Sequence, residues 1–274
     1  MKNIGRKKIL YAIALLILVV SALFFLKKSP TIHKEKPRDF AEIQKNGQLY
    51  VVTNSSSFGF EVKDNALRGF NYEIAKAFAD SMGLELIISR QNDLDSCIQG
   101  INSGKYDLIA VCLPTIAYLK TKLAFASPFY NSRLMLVQQA YSGDVIRQTI
   151  FNHYHLSEDS ICIPAASPHR FRLQNLSDEI ARPIKLVEIK HKSEEDLVKM
   201  VSEGKIKYTV CDELQARKLK TVYPNIDVEM AVGFTQPMAW GVHPQSKELL
   251  DSLNDFLKYL FISTDYWAVY RKYF

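Results

Sequence analysis

The 274-residue chain has no GxxxxGK[ST] or GxGxxG run, so no backbone cradle for a nucleotide phosphate can be read in it. It has no GxSxG turn to raise a serine nucleophile above a sheet. Cysteine is scarce: the four, Cys97, Cys112, Cys162 and Cys211, show no CxxC or metal-like spacing. Each lies among apolar neighbours and reads as a small buried hydrophobe, with Cys162 and Cys211 the pair to examine first for a disulfide. Of six histidines only His153 and His155 are close in sequence, without Cys or carboxylate partners, so no metal or other cofactor is expected. Glycine (11) and proline (10) are too few for a collagen-like or low-complexity chain.

What is present starts with charge. The formal net charge is +6, but residues 1–37 hold eight basic residues and one acid, and the remainder holds 27 basic against 28 acidic. The basic balance belongs to an N-terminal arm, which removes the main support for a nucleic-acid partner. Within that arm Ile9 to Leu26 is an uncharged, almost wholly apolar run between Arg6-Lys7-Lys8 and Lys27-Lys28. Its 18 residues can just span a bilayer. Val20-Ser21-Ala22 offers a weak cleavage site, yet the apolar run continues to Leu26, so residues 1–28 read as a membrane anchor rather than a removed signal peptide. More positive charge lies before the run than just after it, so the rest of the chain is expected outside the inner membrane, in the periplasm. Residues 29–39, polar with Pro30 and Pro37, read as a tether.

From residue 40 onward β-rich runs alternate with helical stripes. Gln48–Thr53 reads as a strand, Asn71–Met82 as a helix, Leu84–Ser89 as a strand, Asp93–Asn102 as a helix, and Tyr106–Leu113 as a strand buried on both faces. Arg133–Gln139 reads as a crossing strand. A second α/β region follows: strand Ser160–Ile163, helix Arg170–Leu176, strand Lys185–Ile189, helix Glu194–Ser202, strand Lys207–Cys211 and helix Glu213–Leu219. A strand near Met238–Val242 and helices Lys247–Phe261 and Asp265–Lys272 close the chain. Alternating strand and helix means parallel sheets. The expected fold is therefore α/β, with two lobes, a hinge and a cleft. Lobe one covers about 40–130 and 244–274, and lobe two about 140–238. Ligands of such sheets bind beyond the carboxyl ends of strands, in the loops Asn54–Phe60, Leu113–Tyr118, Pro164–His169 and Asp212-Glu213.

Gly47-Gln48-Leu49-Tyr50-Val51, Gly69-Phe70-Asn71-Tyr72-Glu73-Ile74-Ala75, Gly104-Lys105-Tyr106-Asp107-Leu108-Ile109 and Ser127-Pro128-Phe129-Tyr130 together resemble, in order and spacing, the family 3 extracellular (periplasmic) solute-binding proteins. Glu203-Gly204-Lys205 with Tyr208–Asp212 is similar to that family's second-lobe motif, with Lys207 in place of its first Asp. The chain is more particularly similar to the solute-binding-like N-terminal domain of membrane-bound lytic murein transglycosylase F. It ends where that domain would end, and it has no Glu-Ser dipeptide of the kind the catalytic domain carries. The resemblance implies a periplasmic-binding-protein-like fold and a non-catalytic binder of a small polar ligand: an amino acid, a peptide or a peptidoglycan fragment. The implied partner is an ABC-transporter permease or an envelope protein that processes peptidoglycan. Two alternatives stay open: a regulatory domain with a degenerate cleft, and a dehydratase-type enzyme on the same scaffold.

The same resemblance supplies the candidate ligand residues. The family's Thr-x-x-Arg carboxylate clamp is replaced by Ile116-Ala117-Tyr118-Leu119, leaving Thr115 and Lys120 as nearby polar groups that lack the guanidinium's planar fork. Asp212 takes the position of the Asp that holds a ligand ammonium, with a helix N-cap as its competing role. Ser167 stands at a helix entrance as anion donor or cap. Asn54, Phe58 and Phe60 follow the first strand, where the family places an aromatic wall; core packing competes for the two rings. The acids Glu194-Glu195-Asp196 read as helix-start residues that complement the dipole.

Overall fold

The structure, a computed structural model, describes residues 36–63, 65–140 and 149–274. Among these no helix is long and apolar enough to cross a membrane. The anchor expected over residues 1–28 lies outside the described residues.

In the first lobe α1 (Phe40–Asn46) leads into β1 (Gln48–Thr53), a hairpin of β2 (Glu61–Lys63) and β3 (Ala66–Arg68), and α2 (Phe70–Ser81). β4 (Glu85–Arg90), α3 (Leu94–Asn102), β5 (Leu108–Pro114), the single turn α4 (Ala117–Lys120) and β6 (Ala124–Phe125) follow. β7 (Tyr130–Ser132) then passes directly into β8 (Leu134–Gln139). The second lobe holds a 3-10 turn at His153–Ser157, then β9 (Ser160–Pro164), α5 (His169–Glu179), β10 (Lys185–Ile189) and α6 (Glu194–Ser202). It ends with β11 (Tyr208–Asp212), α7 (Glu213–Val222) and β12 (Ile226–Asp227). β13 (Gln236–Val242) returns to the first lobe, where α8 (Lys247–Leu260) and α9 (Thr264–Tyr273) finish the chain.

The first sheet runs β4-β1-β5-β13-β6 with β7 on β13, and the second runs β10-β9-β11-β8-β12. β1, β4 and β5 are mutually parallel, as are β9, β10 and β11. β13 and β8 enter antiparallel. The two lobes are thus linked at Arg133, between β7 and β8, and again just before β13. The longer elements lie within a residue or two of their sequence reading, apart from longer C-terminal turns on α5 and α7. The two-turn helix α1, the β2–β3 hairpin, α4 and the shortest strands carry too few periods to be read from sequence, and α1 is absent from the sequence reading.

Local chemistry explains the boundaries. Asp39 caps α1 and also accepts from Leu249 N at 2.9 Å, pinning the first turn of α8. Asp93 caps α3 through Ser96 N, and Ser193 with Asp196 forms a capping box on α6. Asp107, the acid of the GxxDLI motif, is buried, accepts from Tyr50 N at 2.8 Å and is ion-paired with Arg38. Lys207, which replaces the family's Asp, pairs with Asp159 at the start of β9.

One apolar core runs from α2 and the C-terminal helices through Trp240 to Met135, Val198 and Cys211 of the second lobe. Separate clusters lie under α3 and under α5. All four cysteines are free, and Cys97, Cys162 and Cys211 are buried. The loop after β1 is packed against the start of α2: Asn71 N donates to Phe58 O and Tyr72 N to Gly59 O. Gly69 sits there at φ +139°, and a Cβ on it would stand 2.1 Å from Gly59 O. Gly69→Ala is expected to lower unfolding stability by roughly 2 kcal/mol or more, since backbone strain of 1–3 kcal/mol is joined by a clash. The denaturant midpoint at unchanged m-value is the check.

Candidate functional site

The carboxyl ends of β1, β5, β9 and β11 face one another across the lobes, and two adjoining cavities lie between them. The inner one, about 70 Å³, is lined by Asn54, Asn92, Cys112 and Leu113 of the first lobe and by Pro164, Ser167, Glu194 and Gln215 of the second. The outer one, about 250 Å³, is lined by Tyr118, Phe171, Arg172, Asn175, Phe234 and Gln236, among others. Pro114, Pro168, His169, Asp212 and Met238 line both. Contacts between the lobes include a hydrogen-bonded pair and a ring pair. Ser57 donates from N and Oγ to Glu195 Oε2 at 2.7 and 2.8 Å, and the rings of Tyr118 and Phe171 lie 4.1 Å apart.

Asp212 ends the wholly buried strand β11 and is itself 3% exposed. Its Oδ1 accepts from Leu214 N (3.0 Å) and Gln215 N (3.2 Å), so it does cap α7. Burial pushes its carboxyl up to about 6, helped by the negative charge of Glu194 and opposed by the Ser132 hydroxyl, the Gln215 amide and His169. His169 and Glu194 form a 2.7 Å ion pair beside it. Burial works against charge on both, but each outweighs that for the other: His169 is held above its ordinary value and Glu194 below. On β7, next to these groups, Ser132 Oγ and Tyr130 OH are buried and have no hydrogen-bond partner among the described residues. Ser132 lies near enough to Asp212 to steady its charge without meeting ordinary bond geometry.

Of the residues singled out from sequence, Asn54, Ser167 and Asp212 are brought together in the inner cavity wall. Ser167 is buried, and its Oγ accepts from His169 N at 3.3 Å. Phe58 and Phe60 are not brought there. Phe58 stacks on Phe274 at 5.5 Å within the core, and Phe60, also buried, lies tilted against Tyr72 at 5.0 Å, so both rings are packed away from the cavities. Thr115 and Lys120 line neither cavity; Lys120 is exposed at the end of α4, and the adjacent Leu119 is fully buried. Sequence reasoning missed His169, Glu194, Ser132 and the outer cavity's aromatic wall. Glu194 and Glu195 open α6 as expected, yet their side chains go to His169 and Ser57 while Asp196 alone makes the cap.

A family model described as bacterial extracellular solute-binding proteins, family 3, matches residues 26–274. The chain belongs to that family. Its curated relatives include membrane-bound lytic murein transglycosylase F of Alcanivorax borkumensis, 26% identical over 215 residues, covering 78% of this chain and 44% of that protein. The protein of the same name from Ectopseudomonas mendocina is 30% identical over 234 residues, covering 81% and 45%. The chain thus spans about half the length of the curated relatives it matches. Among solved structures, a mutant of the arginine-binding protein ArgBP from T. maritima superposes with TM-score 0.72 at 22% identity, covering 85% of this chain and 97% of that one. An ABC uptake transporter substrate-binding protein from Streptococcus pneumoniae with bound histidine superposes with TM-score 0.73 at 15% identity, covering 85% and 95%. These likenesses establish the periplasmic-binding-protein-like fold of this family 3 chain.

Proposed function

We propose that this chain is a solute-binding protein that captures a small polar ligand bearing an amine, by closure of its lobes about the two linking segments. One observation carries the reading. The Asp212 carboxyl, its pKa raised to about 6 by burial, stands in the wall shared by both cavities with no ion-pair partner among the described residues, the neighbouring His169 being paired with Glu194. A ligand ammonium would supply the missing counter-charge. Asn54 and Ser167 would add polar contacts from opposite lobes, and Ser57–Glu195 with Tyr118–Phe171 would hold the closed form. No bond-making chemistry is assigned to the cleft. The apolar N-terminal run supports tethering to a membrane with the domain outside. A permease or a peptidoglycan-processing protein is the partner class in keeping with that placement.

The test is thermal unfolding of the full-length chain, cleared of carried-over ligand, with amino acids, amines, short peptides, muropeptides and prephenate. Ligand at a hundredfold its Kd adds about 2.7 kcal/mol, or roughly 5–10 °C in Tm. A shift confined to one class names the ligand. Its absence with all of them would sink solute capture and favour a regulatory domain that docks on another protein.

A further inference from the structure

The outer cavity assigns a ligand class that the family resemblance alone does not. We infer that it is a subsite for an aromatic or apolar body, and that the ligand is an amine whose neighbouring carbon bears no free carboxylate. This rests on the reading of the cleft as a ligand site with Asp212 as the amine's partner.

Size comes first. The inner cavity, about 70 Å³, is less than a third the size of the outer, about 250 Å³. An amine at the shared Asp212 wall would therefore extend its larger part into the outer compartment. That compartment carries aromatic rings in its wall: Phe171, packed on Tyr118, whose ring also carries Lys122 Nζ at 4.3 Å, and Phe234, 68% exposed with Arg172 over one face. Asn175, Gln236 and the unpartnered Ser132 hydroxyl provide neutral hydrogen-bonding groups.

A carboxylate finds no comparable welcome. Both guanidiniums in the outer wall are occupied. Arg133 is bidentate to Glu213 at 2.8 and 3.2 Å. Arg172 is bidentate to Glu179 at 2.6 and 3.0 Å, donates to Val232 O at 2.8 Å and stacks over Phe234 at 4.8 Å. The turn where relatives are expected to carry the clamp instead buries Leu119. Lys192 lines the inner cavity, but it is exposed, sits two residues before Glu194 and presents a solvated point charge without a fork. Asp212 and Glu194 outnumber the single positive charge of His169, which is itself paired with Glu194, so a free α-carboxylate beside the amine would meet a net negative wall and, among the described residues, no free fork.

Calorimetric titration of the full-length chain with phenethylamine, phenylalaninamide, phenylalanine and alaninamide decides it. Phenethylamine and phenylalaninamide should bind at least tenfold tighter than phenylalanine, and phenylalaninamide at least tenfold tighter than alaninamide. Phe234→Ala should weaken both aromatic amines severalfold; its exposure makes a folding defect an unexpected complication, and the melting curve checks that. Phe171→Ala should weaken them further. Phenylalanine binding as tightly as its amide would overturn the missing-carboxylate inference, and equal binding of alaninamide and phenylalaninamide would overturn the aromatic subsite. If none of the four binds but another amino acid does, this inference fails while solute capture stands; if no compound of any class binds, solute capture itself fails.

Discussion

Replacing Asp212 with asparagine is expected to make the empty protein more stable and to abolish amine binding. Asp212 is 3% exposed and has no ion-pair partner among the described residues, His169 being paired with Glu194, so its charged form is disfavoured and its pKa stands at about 6 against an ordinary 3.8. Between those values the folded chain binds more protons than the unfolded one, so Asp212 makes stability fall as pH rises from about 4 to about 6. The full cost above that window is about 3 kcal/mol, at 1.36 kcal/mol per pH unit. Asparagine keeps the acceptor that caps α7 through Leu214 N and Gln215 N, and its amide can donate to the neighbouring Ser132 hydroxyl. Urea denaturation at pH 4, 6 and 8 should show the variant and the native chain nearly equal at pH 4 and separated by 2–3 kcal/mol at pH 8, about the full cost of the buried charge. Parallel stability curves would mean that the native carboxylate is already compensated, and the electrostatic basis for amine binding would go with it.

His169→Leu should do the opposite. It leaves Glu194 charged, partly buried and next to Asp212, with no counter-ion. Breaking one side of a buried pair costs on the order of 3–5 kcal/mol, and the 22% exposure of the Glu194 side chain puts this case near the lower end. A loss of about 3 kcal/mol lowers Tm by roughly 6–12 °C in a domain of this size. Adding Glu194→Gln should recover most of it, because the stranded charge, not the missing ring, is the main penalty. The pair has its own pH window. His169, held above its ordinary 6.5, contributes fully below that value and loses its contribution as pH rises through its folded value. Glu194, held below 4.5, contributes above that value and loses its contribution as pH falls through its folded value. The difference between native and variant chains should therefore peak between those limits and shrink on both sides. A variant as stable as the native chain at pH 6 would show that the pair contributes nothing to folding.

Both predictions turn on residues whose types were visible but whose relations were not. Asp212 could be placed at the end of a buried strand because Tyr208–Cys211 is a continuous β-rich run followed by a helical pattern. Its two competing roles are compatible: the cap uses Oδ1, and the carboxylate still lines both cavities. Phe58 and Phe60 show the limit of reading by position. Both follow the first strand as an aromatic wall would, but Phe274, more than 200 residues on, returns to stack on Phe58 and draws it into the core. No local pattern marks that return.

The sequence by itself determined the kind and order of the longer strands and of the helices from α2 on, the single turn α4 apart, because strand and helix periods, glycine stops and Asp or Ser caps act over a few residues. It determined, too, that no clamp arginine follows β5, since the position is read directly as Leu119. Tertiary structure alone decided which groups meet in the cleft. His169 pairs with a glutamate 25 positions away, and Ser57 bonds one 138 positions away. Those meetings depend on how two sheets are set across two linking segments, and on where burial removes water from a charge. Both are properties of distance in space, and no period along the chain encodes them.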